Sequence, residues 1–546
     1  MSELRLVPAA VVVWAVVLAL LLAVHQGWVI LALGVVVLGA VVLRQAGQAI
    51  LVGALGVLAV GITELRRWQA HRWEPGKPLV GTVSSSPVEV EGGRYLIRLD
   101  IPGYPVEMPV FLNELPPGVV TGAHVTGDLT LGESGRPGIG MQVARGEVKV
   151  IGSPEGMSAI AGRVRETFRE AVMNTVGESS QGLIPGMVLG DTSGQDAQER
   201  QLYIETGLSH LSAVSGANVA IVTTAAVLFC RALTMGPRVQ VAAALLALAG
   251  FVGLVGTEPS VLRASVTGLV GLLAVLGSSR VEPIHGLSVA VIGLLLWNPD
   301  LAVTYGFALS VAATAGIVAL FPLIYRPLAR TRAPDILVRA VAVAVAADVV
   351  TMPIIALMAG EVSLVSVLAN VLVASVVPPV TVIGLIAVGL AQLPGGLEFP
   401  VLHLIEPLTW WIHTVAQWCA QLPNAIVPAS PVWVLLGYGW VLAGVIAGHP
   451  LKTLGALAAL FCYFAQSPQL PPKVEWDDFE VHVVDTVEQV GTAPAGTQAI
   501  IVKDGEGKPA NRPTVTREGI PVLFPHRDGP VSLHVDGSQH AADGRF

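Results

Sequence analysis

Charge is what this chain has least of. Charged residues are 13% of its 546 positions, while hydrophobic ones are 53%. A soluble domain carries about 25% charged residues, so a water-soluble globule is excluded and a polytopic membrane protein is expected. Cysteine is nearly missing too. Cys230, Cys419 and Cys462 lie in or beside apolar stretches, odd in number and without metal-ligand spacing, which reads as inert buried thiols. No G-x-x-x-x-G-K-[ST] loop occurs, so an ATP engine of that type is excluded. No H-E-x-x-H stretch or His/Cys cluster occurs, and no metal or other cofactor is expected. The net charge of −8 says little, because loop-by-loop placement matters more than the sum.

What is present is a succession of apolar runs. Three come first, at about 6–24, 28–43 and 49–65. The opening run resembles a signal peptide, but no A-x-A site follows, so it reads as a retained membrane helix. The second is short for a span, and the first two fit a tight helical hairpin. Residues 76–152 change character, reading as five short β runs split by Gly and Pro, which suggests a small OB-like barrel. Its Trp73, Tyr95, Tyr104 and Phe111 could stack bases. Acids slightly outnumber bases there, and a structural or assembly role stands beside that reading. Residues 155–181 have the pattern of an amphipathic helix lying along the bilayer, with Arg163, Arg165 and Arg169 off its apolar face. The Gly-rich piece that follows, GLIPGMVLGDTSG, is short enough to be a re-entrant loop.

The main membrane block runs over about 207–468. Its 362–392 run is too long for one span, and Pro378-Pro379 should break it. Trp410, Trp411 and Trp418 suggest an interfacial helix over 401–424. Arg231, Arg238, Arg280, Arg326, Arg330, Arg332 and Arg339 fall in alternate loops, which places those loops in the cytoplasm and the barrel outside. Arg66, Arg67 and Arg72 run against that assignment. The divisions expected are membrane helices over 1–67, the β domain over 68–152, the amphipathic and re-entrant pieces over 153–206, the multi-helix block over 207–468 and a polar tail over 469–546. In the tail, FEVHVVD and AIIV read as strands, and His482, His526, His534 and His540 are too dispersed along the chain to count as ligands.

Polar side chains inside apolar runs are costly, and they mark functional sites by default. The densest group is TGLSHLSAVSGANVAIVT, residues 206–223, with His210, Ser212, Ser215, Gly216 and Asn218. Arg263, Asn298, Ser310, Asp348 and Asn370 interrupt later runs. Two readings of Arg263 and Asp348 stay open. They either pair with each other or with backbone and lock the bundle, or they face a wet path. A His210–Ser215 nucleophile pair, as in an intramembrane protease, is disfavoured because AVSG is not the nucleophile elbow.

Four blocks then occur in a recognisable order. TGLSHLSAVSGANVAIV, EPSVLRASVTGLVGLLA, WNPDLAVTYGFALSVAATAGI and SLVSVLANVLVASVVPPVTVIG resemble the ComEC competence family. The resemblance covers most of 1–466. It implies a multi-pass channel of the bacterial plasma membrane that passes one DNA strand into the cytoplasm during natural transformation. It also implies a DNA receptor outside and a helicase-type ATPase inside as partners, besides single-stranded DNA and membrane lipid. The ten residues above would line the strand's path, with Arg263 attracting phosphates near the outer mouth. Many relatives carry His where Asn218 stands. Many also end in a metallo-β-lactamase-like domain, of which this tail resembles only the opening strands. The H-x-H-x-D-H motif is absent, so a channel component rather than a nuclease is expected. A small-solute or lipid transporter, or an intramembrane enzyme or scaffold, is the alternative.

Overall fold

The computed structural model describes residues 4–90, 93–140, 142–212, 214–276 and 282–449. Beyond these it describes 452–453, 455–456, 459, 480–492, 494, 496–503, 510, 512–516, 519–534 and 537–541. The chain divides into two units, Met1–Ala456 and Leu457–Phe546. Arg280 and Cys462 lie outside the described residues.

The first unit is mostly helical. It opens with α1 (Val7–Leu21), α2 (Gln26–Val42) and α3 (Ala46–Arg72). The turns between them are short, and Ala23 and Arg44 take left-handed φ values of 62° and 57° there. Both α1 and α2 pack on α3.

A sheet follows, with β1 (Leu79–Val83), β2 (Val88–Val90), β3 (Arg94–Asp100), β4 (Met108–Leu112), β5 (His124–Gly127), β6 (Thr130–Glu133), β7 (Gln142–Arg145) and β8 (Lys149–Gly152). The order is β6-β7-β4-β3-β1-β5-β8, with β2 against β3. Within this sheet β4 and β7 pair in parallel, and the other described pairs are antiparallel. Eight strands stand where five were expected, because the last two runs each break once and β2 forms outside the five runs. Gly127-Asp128 and Gly146-Glu147 supply turn residues in mid-run. Burial alternates along β4, where Met108, Val110 and Leu112 face the core, as period-two side chains require.

The connecting region holds α4 (Gly156–Thr175), α5 (Glu178–Gln181), α6 (Leu183–Leu189) and α7 (Ala197–Glu205). The single helix expected over 155–181 is interrupted at Val176-Gly177. The C-terminal part of its apolar face packs on protein, since Phe168, Ala171 and Val172 are buried in a core and α4 packs on α6, α9, α15 and α16, described next, while Met157 and Ile160 at its start are exposed. Arg165 is not free on an outer face either, because its Nε and Nη2 donate to the Leu254 carbonyl at 3.1 and 2.6 Å. Every residue of α6 is buried.

The membrane block comprises α8 (Gly216–Ala232), α9 (Pro237–Val255), α10 (Pro259–Leu276), α11 (Pro283–Trp297), α12 (Tyr305–Leu328), α13 (Asp335–Ala359), α14 (Ser366–Val373), α15 (Val377–Ala391), α16 (Glu398–Ala420) and α17 (Pro431–Ile446). A short ribbon joins β9 (Glu361–Ser363) to β10 (Ile426–Pro428). Consecutive helices pack in pairs, α8 on α9, α10 on α11, α12 on α13 and α15 on α16. Among the described residues, five helical stretches are long and apolar enough to cross a membrane, namely Ala46–Arg72, Ser209–Ala232, Pro237–Val255, Tyr305–Leu328 and Asp335–Ala359. The pair α14–α15, bent by 54°, makes a sixth if it is one broken span. Pro378 and Pro379 stand at the start of α15, where missing amide donors cost nothing.

In the second unit β11 (Val481–Val484) and β12 (Ala499–Val502) pair in parallel. The order continues through β14 (Pro521–Leu523) to β13 (Thr514–Val515), and β15 (Val531–Leu533) pairs with β16 (Gln539–Ala541). Val484, Ile500, Val502, Val522 and Phe524 form its core. The tail histidines are not all dispersed, since the rings of His534 and His540 meet edge to face at 5.0 Å.

Candidate functional site

The polar run at 206–215 forms a strap between α7 and α8. Its first residues close α7. Thr206 Oγ1 donates to the Leu202 carbonyl at 2.8 Å, and the Leu208 amide donates to the Tyr203 carbonyl at 2.8 Å. Gly207 has φ +69°, and a Cβ there would stand 2.6 Å from the Ser366 side chain. The strap is thus pressed onto α14 at a point only glycine can occupy. A 3₁₀ turn at Ser209–Leu211 follows. Further on, Ser212 Oγ accepts from Gln195 Nε2 at 2.9 Å, and the Val214 carbonyl accepts from Ser260 Oγ at 2.8 Å.

The start of α8 carries the next contacts. Ser215 Oγ donates to Asn218 Oδ1 at 3.2 Å, and Asn218 Nδ2 donates to the Met187 carbonyl of α6 at 2.8 Å. Gly216 faces Arg263 of α10. A Cβ at Gly216 would lie 2.8 Å from Arg263 Nη2, so the absent side chain makes room for the guanidinium. Arg263 is 8% exposed. Its Nε donates to Ser310 Oγ of α12 at 2.8 Å. Among the described residues no carboxylate lies within ion-pair reach of it.

Asp348 does not neutralise Arg263. The carboxylate is 8% exposed. It accepts from Ser366 Oγ at 2.9 Å and from the Tyr438 hydroxyl of α17. Asn370 Nδ2 donates to the Ser366 carbonyl at 2.9 Å and to the Gly207 carbonyl at 3.3 Å. The sequence-derived residues therefore gather in two regions, at the start of α8 and at the start of α14. Around the start of α8, Ser215 bonds Asn218, Arg263 bonds Ser310 beside Gly216, and Ser212 bonds Gln195 separately, while Asp348 and Asn370 meet at Ser366. The strap touches both. His210 lies on the strap between them and is exposed. Asn298 stands apart, accepting from the Asp300 amide at 3.2 Å. Asp300 Oδ1 in turn accepts from the Ile139 amide of the sheet domain at 2.7 Å.

Ser366 and Tyr438 were missed by sequence reasoning. Ser366 precedes Asn370 by one helical turn, a spacing that could have flagged it. Tyr438 offered only a hydroxyl in an apolar run. A further polar group was missed outright. Tyr203, 1% exposed, donates to Glu199 Oε1 at 3.2 Å and lies 3.5 Å from His413 Nδ1. His413 Nε2 is 2.9 Å from Gln417 Nε2. Burial first, then the nearby Asp196, pushes the Glu199 carboxyl up to about 7 against the opposing pull of Tyr203 and Arg200.

Tyr104 cannot serve as a base-stacking platform as expected. It is buried and packs on Trp73 with centroids 4.8 Å apart. Burial, then Asp300, pushes its hydroxyl up to about 12.

Comparison with known proteins bears on the helical block. Residues 187–451 match the family described as Competence protein. A stretch of 141 residues is 33% identical to ComE operon protein 3 of Bacillus subtilis (strain 168), covering 26% of this chain and 18% of that protein. No solved structure matches. The matched segment holds the strap, Arg263, Asp348 and their partners. Residues 187–451 are thus a competence-protein domain of the ComEC family.

Proposed function

We propose that the chain serves in DNA uptake during competence, as a plasma-membrane channel that passes a single strand into the cytoplasm. The observation that carries this reading is Arg263. A buried guanidinium without a carboxylate is costly, and here it is held by one serine and given space by a glycine. Such a group fits a path for phosphates, where attraction must be present without tight trapping. His210 supports it, because it lies exposed on the strap. Hydrogen bonds to Gln195, Ser260 and Asn370 hold the strap down at rest. Passage of a strand then requires the strap to lift.

The sheet fits the front of such a device. Strands β1, β3 and β4 form a meander, β7 returns parallel to β4, and β5 pairs with β1. That is the connectivity of an OB-like domain, which we place on the extracytoplasmic side by the arginine-rich loops. A DNA receptor outside and a helicase-type ATPase inside complete the scheme. The bent pair α14–α15, with Asn370 at its first half, also suits a small-solute transporter.

The test uses Arg263→Ala and Arg263→Lys in a transformable host lacking its own competence channel. Import of fluorescent DNA should fall at least tenfold in the alanine variant, since a charge-assisted hydrogen bond is worth about 1.5–3 kcal/mol, and lysine should restore part of it. Membrane abundance should stay unchanged. Unaltered DNA import with altered solute flux would favour the transporter.

A further inference from the structure

The arginines at the end of α3 conflicted with the loop-charge topology, and the structure accounts for each differently. Arg66 Nη1 and Nη2 donate to the carbonyls of Pro105 and Trp297 at 3.1 and 2.6 Å. Arg67 lies 3.5 Å from Glu64. Arg72 is exposed and pairs with no carboxylate among the described residues. Its guanidinium carbon sits 4.3 Å above the ring of Trp68, which is 52% exposed. The two line an open cleft of about 600 Å³ with Trp73, Glu74, Tyr104 and Pro105.

Helix length says where this cleft lies. The apolar stretch of α3 ends at Thr63-Glu64. Trp68 follows by one turn, about 6 Å at 1.5 Å per residue. A headgroup layer is about 5–7 Å thick on each side of the hydrocarbon. Arg72 is a further turn out, but folding back over Trp68 returns its charge toward that layer. Stacking one face of a guanidinium leaves its edge donors free for a phosphate. We propose that this cleft binds the phosphodiester of an anionic lipid headgroup, with Arg72 as its cation and Trp68 as its interfacial anchor. The proposal is independent of the DNA-path reading, because neither residue belongs to that site.

The full chain in phosphatidylcholine nanodiscs tests it, using nitroxide-labelled phosphatidylglycerol or nitroxide-labelled phosphatidylcholine as the quencher. The Trp68 signal is isolated by difference from Trp68→Phe. Phosphatidylglycerol should be preferred about fivefold, the factor one cation supplies near an anionic lipid surface. Arg72→Gln should remove the preference and Arg72→Lys should keep most of it, with thermal unfolding of both variants as the folding control. Equal quenching by the two lipids, or an unchanged preference in a folded Arg72→Gln protein, overturns the proposal. An oligothymidylate that abolishes the preference in an Arg72-dependent way also overturns it, by assigning the cleft to nucleic acid.

Discussion

Glu199 makes a single residue answerable to pH. Its carboxyl titrates near 7 in the fold, above the 4.3 or so of an unfolded glutamate. A carboxyl raised on folding contributes stability that is complete below the unfolded value and is lost as pH rises through the folded one. Thermal unfolding in nanodiscs should therefore show the native chain losing stability, relative to Glu199→Gln, between about pH 4.3 and 7. Parallel pH profiles for the two proteins would refute this. Tyr438 offers a second case. Phenylalanine there removes a donor from a buried carboxylate, and hydrogen bonds to charged groups are worth about 1.5–3 kcal/mol. Chemical denaturation should register a loss of that order, and no loss would mean Asp348 finds another partner. Neither arrangement was legible in the sequence. Tyr203 and His413 meet across 210 positions and Asp348 and Tyr438 across 90. A hydropathy pattern gives a helix its apolar stretch but not the rotation that aims one side chain at another.

Among the elements, the strap was the most legible, because a dense polar run inside apolar sequence must be satisfied by something. What satisfies it was not legible, since its partners sit on α6, α7, α10 and α14. Gly207→Ala tests how tightly it is held. The new methyl would meet Ser366 at 2.6 Å and the backbone would be strained at φ +69°. Strap amides around 207–212 should exchange with deuterium faster in that variant while α12 and α13 stay as protected as before. The broken run at 362–392 was readable for a different reason, since two consecutive prolines cannot sit inside an unbroken helix. The split strands were missed because short β runs carry little signal beyond their turns. For the 155–181 helix, periodicity revealed an apolar face without saying that its end, at Phe168, Ala171 and Val172, packs on protein.

At the scale of the whole molecule, composition alone fixed the class, since so little charge cannot coat a soluble surface. The competence-family match ends at residue 451, and the second unit begins at Leu457. A chain cut after Ala456 should accordingly insert normally and import labelled DNA as the full protein does. Loss of import with normal insertion would give the tail a part in uptake. The joint between sheet and helices carries the last consequence. Arg66 binds both the β3–β4 loop and the end of α11, and Asp300, just ahead of α12, grips Ile139. These short tethers leave little slack, so a tug on the sheet by a captured molecule would be felt directly by α11 and α12. Ser310, the prop of Arg263, rides on α12, and a load on the sheet would thereby reach the helical block mechanically.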